Sequence, residues 1–121
     1  MEAQTTNIAL YETARAVIPD LQKAAGKSSG SPSFFVTGGM LHKYPLPPLF
    51  SLSMTKTSQR NLVQCLHLTY GKDIHVGQVT VGGEVKPDKA HMSPDFIAER
   101  FWELYEQPRD KWAFEIEVPE K

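Results

Sequence analysis

Apolar residues recur at helical spacing in two parts of the chain. In the first, between Asn7 and Lys23, they follow one another at steps of four, three and four: Leu10, Ala14, Val17 and Leu21. In the second, between Ser51 and Tyr70, they again share one helical face: Leu62, Val63, Leu66 and Tyr70. This periodicity predicts two amphipathic helices, with Gly71 as the stop of the second and Pro19 as a late bend in the first.

Three other segments have the patterns of β-strands. Residues 33–37 (SFFVT) and 74–81 (IHVGQVTV) are β-prone and largely apolar, and each run is followed by two glycines. Such runs are typical of strands that are covered on both faces. Residues 112–118 (WAFEIEV) instead alternate, with Glu115 and Glu117 on one side. That alternation predicts an edge strand with one solvated face.

Breaks in the pattern separate these elements. Residues 25–32 (AGKSSGSP) read as a loop, and three prolines between Met40 and Pro48 impose a second loop. Ser93, followed by Pro94 and Asp95, is typical of the start of a third helix, which Pro108 should close.

Helix, strand, helix, strand, helix, strand is thus the predicted order. It predicts an α/β fold with a parallel sheet of about three strands and three main helices, joined by right-handed crossovers. A chain of 121 residues of which 40% are hydrophobic is long enough for one compact domain, so residues 1–121 are expected to form a single domain.

Composition argues against several functional classes. The formal net charge is -1 and no run of Lys or Arg occurs, so nucleic acid is not an expected partner. The single Cys65 cannot form an internal disulfide, and no Cys and His cluster has zinc-site spacing, so no metal is expected. No basic and apolar leader and no run of eighteen apolar residues is present, so neither secretion nor membrane insertion is expected. The expected location is the cytoplasm.

Four sequence segments carry a family resemblance, and they occur in the family's order: NIALYETARAVIPDL from Asn7, SFFVTGG from Ser33, LSMTK at residues 52–56 and VTVGGEV at residues 79–85. Together they resemble the carboxy-terminal half of the short-chain dehydrogenase/reductase family. The resemblance covers nearly all of this chain but only about the second half of that family's fold. It therefore implies a truncated, Rossmann-like, three-layer arrangement.

The resemblance also implies an incomplete active site. The family uses a Tyr-x-x-x-Lys motif in which the tyrosine exchanges a proton with the substrate carbonyl and the lysine lowers its pKa. Here Lys56 matches, but Leu52 stands at the tyrosine position and has no proton to exchange. The family's serine position falls around Gly38, Gly39 or Met40, none of which carries a hydroxyl. Hydride transfer by this chain alone is therefore not expected.

A dinucleotide site is also not expected, because no glycine-rich turn of the required spacing joins a strand to a helix. Gly82 and Gly83 follow a strand but lead into Glu84, which would repel phosphate. The expectation is that no cofactor is used. The alternative is NAD(P), whose nicotinamide side would then meet Gly83 together with Asn7, Thr37 and Lys56.

Several residues are candidates for cofactor-free chemistry, and most of them also have a structural explanation. The catalytic candidates are Lys56, Thr37, Tyr44, His42 and Asn7, and the candidates for substrate contact are Leu52, Ser53, Met40 and Phe50. Thr37 could equally end a strand, and Ser53 could serve a helix start. Tyr44 could pack beside prolines, and His42 could be a solvated loop residue. Asn7 could cap its helix, and His75, within a strand, is expected to be a core histidine.

Three functions remain open. The first is a degenerate short-chain dehydrogenase/reductase-like protein that binds or transforms a small apolar carbonyl compound without cofactor, as a cyclase, isomerase or dehydratase would. The second is an NAD(P)-dependent oxidoreductase fragment or subunit that another half completes. The third is a non-enzymatic dimerising module. In each case the resemblance implies a homodimer through the helices at 7–23 and 51–70, a symmetric assembly of the commonest kind.

Overall fold

The computed structural model describes residues 2–27 and 31–120. Three long helices alternate with three strands, as predicted: α1 (Glu2–Ala25), β1 (Ser33–Gly39), α2 (Phe50–Tyr70), β2 (His75–Val81), α3 (Pro94–Tyr105) and β3 (Glu115–Val118). Two short 3₁₀ turns, Pro47–Leu49 and Arg109–Lys111, precede α2 and β3. Among the described residues no helix is both long and apolar enough to cross a membrane.

The strands form one parallel sheet in the order β1-β2-β3. Ser33 pairs with His75 and Gly39 with Val81, while Gln78 of β2 pairs with Glu115 of β3. The carboxyl ends of all three strands therefore lie at one end of the sheet. This arrangement confirms the predicted α/β, Rossmann-like fold.

Helices cover the sheet on both sides and create two apolar clusters. One cluster joins α1 and α2 to the sheet: Ala14, Ile18, Val63, Ile74 and Val76. The other joins α3 to the opposite face: Val79, Met92, Ile97, Leu104 and Val118. Because β2 supplies residues to both clusters, it is buried on both faces, as its apolar run predicts.

Helix ends follow local chemistry. At the start of α3 the Ser93 hydroxyl accepts a hydrogen bond from the backbone N–H of Phe96 at 3.1 Å, and Pro94 occupies the first turn, as predicted. At the end of α2, Gly71 has a helical φ of -65° rather than a left-handed one. A Cβ at position 71 would overlap the carbonyl oxygen of His67, so close backbone approach explains the glycine there.

The first helix differs from its predicted bounds. It spans Glu2–Ala25 rather than residues 7–23, and Pro19 lies within it without ending it. Asn7 is therefore inside the helix and does not cap it. The loop predicted at 25–32 begins only after Ala25, and its residues 28–30 lie outside the described part of the chain.

Two strand predictions also need correction. The first strand continues through Gly38 and Gly39, because both glycines keep pairing with β2. It is an edge strand of half-buried residues, not one that is covered on both faces.

The third strand is at an edge, as predicted, but it comprises only Glu115–Val118. Trp112 instead follows the 3₁₀ turn. The solvated face predicted for β3 is wrong at Glu115. The Glu115 side chain is only 14% exposed, because Arg60 of α2 reaches across to it.

Candidate functional site

A groove lies between the first half of α2 and the segment that leads into it from β1. Its volume is about 630 Å³. Its walls combine four apolar residues, Leu41, Pro45, Phe50 and Met54, with five polar ones, His42, Ser53, Thr57, Ser58 and Asn61. The sequence predicted only Phe50, Ser53 and His42 of this set. The signal that could have found more is the helical spacing that continues from Phe50 to Asn61.

Helical periodicity gives the groove residues of α2 and Lys56 different positions around the helix. Phe50, Ser53, Thr57 and Asn61 follow at steps of three, four and four and share one face of α2. Leu52, Lys56, Gln59 and Val63 follow at steps of four, three and four, on another face. The structure therefore divides the predicted substrate contacts: Phe50 and Ser53 line the groove, whereas Leu52 and Lys56 do not. Ser53 lies at the boundary, because it is three residues and about 60° around the helix from Lys56.

His42 lines the groove with a defined orientation. Its Nδ1 lies 3.0 Å from the carbonyl oxygen of Gly39. Because a carbonyl oxygen only accepts hydrogen bonds, Nδ1 carries a proton and donates it to that bond. In the neutral ring Nε2 then holds the free lone pair and can accept a proton.

Ser53 is the buried polar residue of the groove wall. The residue is 8% exposed, and its buried Oγ has no hydrogen-bond partner. The neighbouring hydroxyls on α2, unlike that of Ser53, have hydrogen-bond partners. Thr55 donates to the backbone carbonyl of Ser51 at 2.9 Å, and Thr57 donates to the backbone carbonyl of Ser53 at 2.7 Å. An unsatisfied buried hydroxyl costs about 1–3 kcal/mol, so Ser53 has an unused donor beside an apolar groove.

On the other face of α2, Lys56 points towards the sheet side. Its Nζ lies 3.5 Å from Oε1 of Gln59, whose Nε2 donates to the backbone carbonyl of Thr37 at 3.1 Å. Thr37 thus meets α2 through its backbone, while its side chain is exposed. These contacts attach α2 to the end of β1.

Beside them lies a buried polar cluster that the sequence did not reveal. Arg60 donates to both carboxylate oxygens of Glu115, at 2.9 and 3.2 Å, and the Thr80 hydroxyl donates to the same carboxylate. Burial opposes ionisation of Glu115, but the hydrogen bonds from Arg60 and Thr80 outweigh it and lower its pKa, with a smaller contribution from His42. Arg60 and Glu115 are 55 residues apart, so no local pattern could pair them.

Gln78 extends this cluster towards β1. Its Nε2 donates to the Thr80 hydroxyl at 2.9 Å. A Cβ at position 38 would overlap the amide of Gln78. The Gln78 side chain thus fills the space that a serine side chain on Gly38 would need.

The remaining candidates lie away from the groove. Tyr44 is 60% exposed, and the Lys43 ammonium is 5.7 Å from its ring centroid. Met40 supplies a backbone carbonyl that accepts from the N–H groups of Lys43 and Tyr44. Asn7 lies on α1, where its buried Oδ1 has no partner. Of the predicted site residues, the structure brings His42, Phe50 and Ser53 together.

Gly82 and Gly83 pack against the end of the described chain. A Cβ on Gly82 would lie 2.9 Å from the Val118 carbonyl oxygen, and one on Gly83 would lie 2.8 Å from Cγ of Glu120. The absence of side chains at these glycines allows residues 118–120 to pack against them. The backbone N–H of Gly82 donates to the carbonyl oxygen of Val118 and is not free at the start of a helix. The turn at Gly82 and Gly83 therefore does not have the form of a pyrophosphate-binding turn, in which backbone amides at the start of a helix face the ligand. Residues 2–27 and 31–120 contain no group of three potential metal ligands.

Comparisons with known proteins agree with the architecture. No protein-family model matches the sequence, and no curated protein matches it significantly. Among solved structures, the chain is similar to a short-chain dehydrogenase from Rhodopseudomonas palustris, with a TM-score of 0.62 and 24% sequence identity. The match covers 78% of this chain and 41% of that protein, so this chain spans about two-fifths of its length. The likeness supports a short-chain-dehydrogenase-like fold and by itself shows no activity.

Proposed function

We propose that the chain binds a small apolar carbonyl compound in the groove between residues 41–50 and α2, without a nucleotide cofactor. The observation that carries this proposal is the Ser53 hydroxyl, which is buried and unpartnered and belongs to a wall that also holds apolar side chains such as Phe50 and Met54. A carbonyl oxygen is the ligand group that would satisfy such a donor.

The groove has the size and composition for this role. Small-molecule sites usually measure about 300–1,000 Å³ and combine apolar walls with a few polar groups that fix orientation. At about 630 Å³, with Leu41, Pro45, Phe50 and Met54 as apolar walls, this groove falls in that range. Rotation of the Ser53 side chain about its Cα–Cβ bond would turn Oγ towards a ligand.

Calorimetric titration with 2-tetralone, and with tetralin as the analogue without oxygen, tests the proposal. The protein should bind 2-tetralone more tightly than tetralin, because only the ketone satisfies Ser53. Ser53→Ala should weaken 2-tetralone binding roughly fivefold, equivalent to about 1 kcal/mol for one hydrogen bond, and should leave tetralin binding unchanged. Ser51→Ala is the matched control, since Ser51 lies on the same helix outside the groove. Equal affinity for the two compounds, or no loss in Ser53→Ala, would contradict the proposal.

Independent hydride transfer is not part of the proposed function. Leu52 offers no proton, Gln78 occupies the space of a serine at position 38, and Gly82 and Gly83 pack against residues 118–120. We expect no micromolar binding of NADPH to the isolated chain. Calorimetry that detects such binding would overturn this part of the proposal.

A second candidate function is a subunit of an oxidoreductase that another half completes. Its support is β1, an edge strand without charge or proline whose other side pairs with no described residue. Hydrogen exchange tests it: the outward amides of Phe34 to Val36 should exchange fast in the isolated chain and slowly once a completing half is bound. Slow exchange in the isolated chain would instead mean that a second copy already covers this edge.

A homodimer through α1 and α2 is also proposed, whether or not the module is an enzyme. Both helices expose apolar side chains, with Ile8 at 59%, Tyr11 at 55% and Leu68 at 77% exposure. Leu68→Glu should convert a dimer to a monomer in light scattering, because it would bury an unpaired charge at the contact. A wild-type chain that is monomeric at micromolar concentration would contradict the dimer.

A further inference from the structure

His42 and Ser53 supply complementary chemistry to one groove. The hydrogen bond to Gly39 fixes the proton on Nδ1 of His42 and leaves Nε2 as an acceptor. Ser53 holds a hydroxyl donor that no protein atom uses. A base and a separate hydrogen-bond donor beside an apolar cavity are the two groups that proton abstraction next to a carbonyl requires.

We propose that this groove catalyses the exchange of a proton on the carbon next to a ligand carbonyl, with His42 as the base and Ser53 as the donor to the carbonyl oxygen. This inference rests on the proposed binding function. The substrate class is an apolar ketone with at least one hydrogen on the carbon beside its carbonyl group.

The step balances without an oxidant, reductant or cofactor. The C–H bond breaks, its proton goes to Nε2 of His42, and its electron pair forms the carbon–carbon double bond of an enolate. The carbonyl electron pair moves to oxygen, where the Ser53 hydroxyl hydrogen-bonds the developing charge. Return of a proton from His42 restores the ketone or, at another carbon, gives an isomer.

Proton NMR of 2-tetralone in D₂O measures the step directly, as loss of the signals from hydrogens beside the carbonyl. Wild-type protein should accelerate this loss over buffer. His42→Gln removes the base and keeps a side chain that can donate to Gly39, so it should reduce the acceleration about 10²-fold or more while 2-tetralone still binds. Ser53→Ala should reduce both exchange and binding.

His91→Gln controls for catalysis by any exposed imidazole, because His91 is exposed and outside the groove. It should exchange 2-tetralone at the wild-type rate. Calorimetric binding without accelerated exchange, or acceleration that survives His42→Gln, would overturn this inference and leave the binding proposal standing. Absence of 2-tetralone binding would overturn the binding proposal and this inference with it.

Discussion

The two faces of α2 differ in what they contact. Towards the sheet, Thr55, Gln59 and Val63 are buried, and Gln59 bonds the backbone of β1. Away from it, Phe50 and Met54 are 67% and 56% exposed and border the groove. The sheet-side face, which carries Lys56, is used for attachment, while the groove face keeps an unsatisfied hydroxyl.

This difference teaches where to seek function on the fold. The family motif directs attention to Lys56, whose described contact is with Gln59 of the same helix. The groove residue Ser53 stands three positions earlier, about 60° away around the helix, at the edge of the groove face. A shared fold does not by itself place a binding site at the same side chains.

The largest expected effect comes from the polar cluster on the sheet side of α2. Glu115→Ala should lower the free energy of unfolding by about 3 kcal/mol, because it leaves the half-buried Arg60 guanidinium and the fully buried Thr80 hydroxyl without the carboxylate that they contact. Urea denaturation measures this loss. Glu117→Ala is the matched control on the same strand, since its pair with Lys43 at 3.8 Å is exposed, and it should cost less than about 1 kcal/mol. Equal losses in the two variants would contradict the role given to Glu115.

Acid should weaken the same attachment. The pKa of folded Glu115 is lowered below its ordinary value of 4.5, so its contribution is complete above that pH. As the pH falls below 4.5, the unfolded chain takes up the proton first, and stability declines until the pH passes the folded pKa. Glu115→Gln should flatten this part of the stability curve in urea titrations from pH 6 downwards, a range set by ordinary carboxyl pKa values of about 4. If the stability of Glu115→Gln fell with pH as steeply as that of the wild type, the lowered pKa of Glu115 would not be the cause of the acid sensitivity.

On the groove face, Ser53→Ala should change the free energy of unfolding in the opposite direction from Glu115→Ala. It removes an unsatisfied buried hydroxyl and should raise the free energy of unfolding of the ligand-free protein by about 1 kcal/mol, even though it weakens binding. Thermal and urea unfolding can both detect the gain. Ser51→Ala should gain less than about 0.5 kcal/mol, from helix propensity alone. If Ser53→Ala destabilises the chain, its hydroxyl has a structural partner and the binding argument loses its basis.

The smallest expected effect is at the family motif. Lys56→Ala should change the dissociation constant of 2-tetralone by less than about twofold, because Lys56 does not line the groove and its described contact is with Gln59. Calorimetry under the conditions used for Ser53→Ala makes the two variants comparable. A loss in Lys56→Ala as large as that in Ser53→Ala would return the site to the motif face.

Much of the fold followed from the sequence because it depends on local patterns. Helical spacing located α2, and the apolar run at 74–81 located the central strand β2. Ser93 with Pro94 fixed the start of α3. These features need only the chemistry of nearby residues.

The parts that could not be predicted depend on long-range contacts. Glu115 was assigned to a wet face because its alternation with Ile116 is local, whereas its burial depends on Arg60 in another element. The position of the Gln78 side chain is also a long-range property, since only the folded sheet places it against Gly38. The groove forms where residues 41–50 pack beside α2. The path of that segment is not periodic, so no sequence pattern predicts it.

The central claim is that the groove face of α2, and not the face of Lys56, holds a small apolar ketone. Amide chemical shifts of the labelled protein, recorded as 2-tetralone is added without nucleotide, test this most directly. The account predicts saturable shifts at Phe50, Ser53 and Thr57 and at His42, with little change at Gly38 and Gln59. Saturable shifts concentrated at Gly38, Lys56 and Gln59, with none at Ser53, would contradict it.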